Sequence, residues 1–119
     1  MAKGTNPDFL NGVPELLVLK LLKQKPCYGY ELGERLRGLT GDAFEFHDGS
    51  IYPVLHRLEG KGLLRSRKEI VESRVRRIYE VTEAGEKHFE TMEKTWTRIA
   101  RVIGEILREG RDDHRFATE

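Results

Sequence analysis

Apolar residues crowd between positions 13 and 22, where Val13, Leu16, Leu17, Leu19, Leu21 and Leu22 leave almost no polar face. A helix that is apolar nearly all round must be covered on every side, so this run predicts a central core helix. Asn11 is placed to cap it, Pro14 falls at the third helical position, where a missing N–H breaks no intrahelical bond, and Lys25-Pro26 closes it. After that break the rhythm changes. Leu32, Leu36 and Leu39 recur at four and three residues and predict a second, amphipathic and more exposed helix over 30–39, ending near Gly38 or Gly41.

Residues 40–48 read as a turn-rich connector, after which Ser50 is the expected cap of a third helix, again with a proline, Pro53, at the third helical position. Ile51, Leu55 and Leu58 share one face of this helix, whereas Tyr52, His56, Arg57 and Lys61 point elsewhere. Gly60 and Gly62 end it. Two short extended segments follow, 63–70 and 76–81, around the charged tip 71–75, and the alternation of Tyr79 and Val81 is that of a half-buried strand. Three helices and a hairpin in this order predict a mainly α fold with a small β-hairpin, the winged helix-turn-helix, in which the third helix enters the major groove of DNA and the wing touches the flanking backbone.

Thr82 is the expected cap of a final helix over 83–108. Along it Phe89, Met92, Trp96, Ile99, Ile103 and Ile106 are spaced 3, 4, 3, 4 and 3 apart, a heptad seam that packs best on another helix. The seam predicts a dimer interface made of those six residues. It divides the chain into a winged DNA-binding domain at 1–82 and a dimerisation helix with a polar tail at 83–119. Trp96, in the middle of the seam, has two readings: it packs the interface, or it lines a cavity between subunits.

Charge sharpens the picture. The whole chain of 119 residues carries a net charge of only +1, so an anionic partner must be met by local segregation. Between positions 50 and 77 stand Arg57, Lys61, Arg65, Arg67, Lys68, Arg74, Arg76 and Arg77 against Glu59, Glu69 and Glu72, a local excess of five positive charges. Ser50, Tyr52, His56, Arg57, Lys61, Arg74, Arg76 and Arg77 are therefore the candidate DNA contacts. Arg57 suits either a guanine edge or a phosphate, Tyr52 a phosphate or a base edge, and Ser50 a phosphate at the helix N-terminus.

Other chemistry is thin. The single cysteine, Cys27, rules out an intramolecular disulfide framework, and His47, His56, His88 and His114 lack the paired spacing of a metal site, so neither metal nor cofactor is expected. No nucleophile-base pair, glycine-rich phosphate loop or paired acids mark an enzyme. Without a membrane-length apolar run or a signal-like N-terminus, the expected location is the cytoplasm.

Three blocks taken together resemble the PadR family of bacterial and archaeal transcriptional regulators. They are Leu17-Val18-Leu19 with Tyr28-Gly29-Tyr30-Glu31-Leu32, then Gly49-Ser50-Ile51-Tyr52-Pro53 with Leu58-Glu59, then Tyr79-Glu80-Val81-Thr82-Glu83-Ala84-Gly85. The resemblance implies a homodimer whose C-terminal helices exchange across a two-fold axis, bound to a pseudo-palindromic operator on double-stranded DNA as a repressor that an effector releases. With one long helix after the wing, the chain resembles the shorter branch of the family. In multidrug-binding relatives an aromatic on this helix stacks on flat ligands, which marks Trp96, with Phe89 and Met92, for an aromatic small-molecule effector. The wing departs from the pattern: relatives often carry glycine or proline at its tip, and 71–75 has neither. The competing reading is a winged-helix module that binds protein instead of an operator.

Overall fold

A computed structural model describes residues 12–41 and 48–109, with backbone alone at 48–50. Its elements run α1 (Val13–Gln24), β1 (Cys27–Tyr28), α2 (Gly29–Thr40), α3 (Asp48–Gly60), β2 (Leu64–Val71), β3 (Arg74–Val81) and α4 (Glu83–Glu109). The strands form one antiparallel sheet in the order β1-β3-β2. The chain divides between Phe89 and Glu90 into two compact units.

The core of the first unit is aliphatic. Val13, Leu16, Val18, Leu19, Leu21 and Leu22 of α1 are buried, and so are Leu32 and Leu36 of α2 and Ile51, Val54, Leu55 and Leu58 of α3. Cys27, Leu63, Leu64, Tyr79 and Phe89 complete it. Cys27 is a small buried core residue whose Sγ accepts a hydrogen bond from Arg35 Nη1 at 3.0 Å. Leu39 shares the face of Leu32 and Leu36 yet is 71 % exposed. Periodicity assigns a face; it does not tell how far along the helix the neighbouring elements reach.

Two of the three expected helix caps differ from expectation. The cap of α1 is Gly12, at φ 91°, with Pro14 the second helical residue, and the expected cap Asn11 lies outside the described residues. Helix α3 begins at Asp48, so Ser50 is its third residue rather than its cap and Pro53 lies inside it as the sixth. The missing Pro53 N–H then leaves the Gly49 carbonyl without its helical donor. The ends are as the glycines imply. Gly62 at φ 80° closes α3, its N–H donating to the Glu59 carbonyl and the Leu63 N–H to the Leu58 carbonyl, each at 2.9 Å, the pattern of a left-handed helix cap.

The wing is a hairpin paired without interruption from Leu64↔Val81 to Val71↔Arg74. Its loop is two residues, Glu72 at φ 51° and Ser73 at φ 66°, so side-chain-bearing residues fill the left-handed positions that a tight hairpin requires. The wing therefore turns tightly without glycine or proline. Strand β1 pairs Cys27↔Tyr79 and Tyr28↔Ile78 and ties α2 to the wing. Two residues are too short a run for alternation to signal. At the start of α4, Thr82 Oγ1 accepts from the Gly85 N–H at 3.0 Å and donates to the Gly62 carbonyl at 2.7 Å, as its position before the helix predicts.

Candidate nucleic-acid interface

Helix α3 is built as the sequence pattern requires. Its inner side is Ile51, Val54, Leu55 and Leu58, all at most 6 % exposed. Its outer residues Tyr52, Pro53, His56, Arg57 and Gly60 are exposed. At about 100° per residue the outward ridge is Pro53, His56 and Gly60, with Tyr52 and Glu59 on one flank and Arg57 and Lys61 on the other. Pro53 and Gly60, which flank His56 along this ridge, are small.

Tyr52 is 37 % exposed, and its ring lies across the first residue of α2. A Cβ on Gly29 would stand 2.7 Å from Tyr52 Cε1 and 3.0 Å from its hydroxyl oxygen, so the glycine makes room for the ring. The Tyr52 and His56 rings are 6.4 Å apart and tilted by 45°. One edge of Tyr52 thus supports α3 against α2, and the rest stays open to solvent. The side chain of Ser50 lies outside what is described.

The other flank is held differently. Arg57 Nε lies 3.2 Å and Lys61 Nζ 3.9 Å from Glu15 Oε2 on α1, so both cations lean toward α1 instead of along the outward ridge. On the wing side, Glu59 accepts from Ser66 Oγ at 2.7 Å, and Ser66 Oγ accepts from Arg77 Nη1 at 2.9 Å. This relay links the last turn of α3 to both wing strands. Arg65 pairs with Glu80 at 2.5 Å, which holds the Glu80 carboxyl below its ordinary range. Arg76 lies 5.8 Å from the Tyr28 ring, and the Tyr28 hydroxyl donates to Glu69 at 2.7 Å, which raises the phenol's pKa. Arg74 and Arg76, with Tyr30 and Val75, line an open groove.

Register exposes a cation that motif reading passed over. Lys68 stands directly opposite Arg77, and cross-strand partners share a face. Like charges in that position cost stability. An anion bound on that face would offset the cost. The predicted DNA contacts Tyr52, His56, Arg57, Lys61, Arg74, Arg76 and Arg77 thus all belong to α3, the turn after it and the wing.

The predicted seam is modified by the structure. Phe89 is 3 % exposed, and Lys20 Nζ and Lys23 Nζ stand 5.8 and 5.3 Å from its ring centroid. Its ring is already covered within its own chain, unlike the seam residues that follow it. The division into compact units falls after Phe89, within α4. Along the rest of α4, Met92 is half-buried, and Trp96, Ile99, Ile103 and Ile106 are 39, 40, 50 and 61 % exposed. Val102 and Leu107, outside the strict heptad, are exposed as well. Adding them widens the stripe to about 140° of the helix circumference.

Among the described residues, no helix is long and apolar enough to cross a membrane, and no group of three or more His, Cys, Asp or Glu is placed to hold a metal ion. His47 and His114 lie outside the described residues.

Comparison with known proteins gives a consistent result. Residues 18–91 match the transcriptional regulator PadR-like family. The chain is 35 % identical over 96 residues to the transcriptional regulator Rv3488 of Mycobacterium tuberculosis, covering 81 % of this chain and 87 % of that one. Among solved structures, a transcriptional regulator from Clostridium thermocellum is similar at a TM-score of 0.75 and 26 % identity, covering 83 % of this chain and 97 % of that one. A PadR family transcriptional regulator from Eggerthella lenta is similar at a TM-score of 0.73 and 29 % identity, covering 84 and 86 %.

Proposed function

The chain belongs to the PadR-like family of transcriptional regulators, and from that premise we propose that it is a homodimeric, sequence-specific repressor acting on a pseudo-palindromic operator in the cytoplasm. One observation carries the reading: α3 is buried on its aliphatic side and open along Tyr52, Pro53 and His56, beside a hairpin whose exposed residues are mostly cationic. Base edges are assigned to His56 and Tyr52, the exposed side chains nearest the outward ridge. Phosphates are assigned to Arg57 and Lys61, to Arg77 with Lys68 on one face of the wing, and to Arg74 and Arg76 on its other face. Ser50 belongs with them as a backbone contact at the start of α3.

The exposed stripe of α4 supports the dimer. A face of Trp96, Ile99, Ile103 and Ile106 left open to water, with Met92 half-buried at its start, favours association, and a second copy presents a matching face. Two winged units then address two half-sites. Trp96 and Met92 line the place where a planar aromatic effector would bind between subunits and release the operator.

Selection of genomic DNA fragments on the purified protein tests this. The expected product is fragments carrying two-fold-related half-sites whose centres are about 10 base pairs, or a multiple of that, apart. Recovery of unenriched DNA overturns the reading and leaves the protein-binding winged module in its place.

A further inference from the structure

Three charged groups on one flank of α3 are arranged in a way that operator binding alone does not explain. Glu15 sits in the first turn of α1 with its side chain only 14 % exposed, while the two cations that converge on it, Arg57 and Lys61, are 54 and 56 % exposed. The carboxylate is therefore beneath and the cations outside. Whatever approaches this flank meets the cations first and feels the carboxylate behind them. A clamp between α1 and α3 needs one cation. The second leaves the cluster at net +1, with donors still turned to solvent.

We infer that Glu15 is a positioning residue that sets how selectively this protein holds DNA. It tethers Arg57 and Lys61 toward the α1 flank and cancels one of their two charges. The inference rests on the DNA-binding reading above and deepens it. Arg57 lies next to His56 on the helix, and a free guanidinium there has the length and donors to swing over the outward ridge and grip bases or phosphates at many registers. Tethered to Glu15, it is confined to the flank where a phosphate strand passes once α3 is seated in the groove.

The two kinds of DNA then respond differently. On a correct site, the tether supplies side chains already in place, and the ordering it spares offsets the repulsion between Glu15 and the backbone. On other DNA no fixed geometry is needed, so only the repulsion acts. Glu15 is thus a carboxylate directed against wrong sequences.

The experiment compares wild type, Glu15→Gln and the double variant Glu15→Gln with Arg57→Met. Affinities are measured by fluorescence anisotropy for a genome-selected fragment and for a scrambled duplex of equal length, across a range of salt. Glu15→Gln keeps the side-chain shape and removes the charge. Its affinity for the scrambled duplex is expected to rise about threefold to tenfold, with a salt slope steeper by about 0.9, as one more phosphate is neutralised. Affinity for the selected fragment is expected to change by less than about twofold, so discrimination falls. Adding Arg57→Met returns the slope toward the wild-type value.

A purely structural clamp would alter the melting temperature and leave slope and discrimination alone. Unchanged slope and discrimination in Glu15→Gln, with wild type still telling the fragments apart, overturns the inference while the DNA-binding reading stands. Failure of wild type to tell them apart overturns both.

Discussion

Ile103→Glu is expected to turn a dimer into a monomer and to weaken operator binding by about a hundredfold or more, since a charge buried unpaired in an apolar interface costs several kcal/mol. Ile103 lies near the middle of the α4 stripe, between Trp96 and Ile106, and is 50 % exposed in the single chain. No described residue of its own chain needs it for folding, so circular dichroism should stay unchanged. In the proposed dimer a two-fold axis would double the damage, because each copy would bring the same carboxylate to the same interface. A monomer would hold one half-site at a time and lose the gain of joining two. Sedimentation checks the first part and a binding isotherm the second. An intact dimer carrying Ile103→Glu would show that the stripe serves another purpose.

Gly85→Ala should unfold the winged unit most readily of any single-methyl change. A Cβ at Gly85 would fall on the Leu63 carbonyl oxygen and come within 2.8 Å of Val81 Cγ1. That carbonyl also accepts the Thr82 N–H at 3.1 Å, and Thr82 in turn caps α4 and binds the Gly62 carbonyl. Backbone cannot yield there without loosening the junction of α3, the wing and α4. A loss of about 2–4 kcal/mol is expected, and with it a fall in melting temperature of about 10 °C or more for a unit of this size. Gly60→Ala is the control, because nothing lies within 4 Å of its Cβ position. Equal melting of Gly85→Ala and wild type would contradict the close approach.

These two positions show what a sequence discloses and what it does not. The α4 stripe was legible because a helix displays its period whether or not its partner is present. Phe89 obeys the same period and is nevertheless covered by α1 lysines of its own chain, since periodicity assigns a face without naming what covers it. The three helices and the hairpin were likewise legible from rhythm, glycine and proline. The start of α3 was not: Ser50 is a good cap, yet the helix begins two residues before it.

The candidate interface divides the same way. Tyr52, His56 and the wing arginines follow from local charge and helix geometry. Lys68 needed the strand register, which sets it opposite Arg77. Glu15 could not be read at all. It meets Arg57 from 42 positions away in the chain, and nothing in either local pattern refers to the other.

The central claim is that this chain grips DNA phosphates with α3 and the wing of two protomers at once. It is tested most directly by the affinity of wild type for a genome-selected fragment measured as salt is raised. A straight log–log line with a slope of about −4 to −8 is expected, since each phosphate neutralised contributes about −0.9, at two protomers per duplex. Affinity that stays flat as salt rises would contradict it.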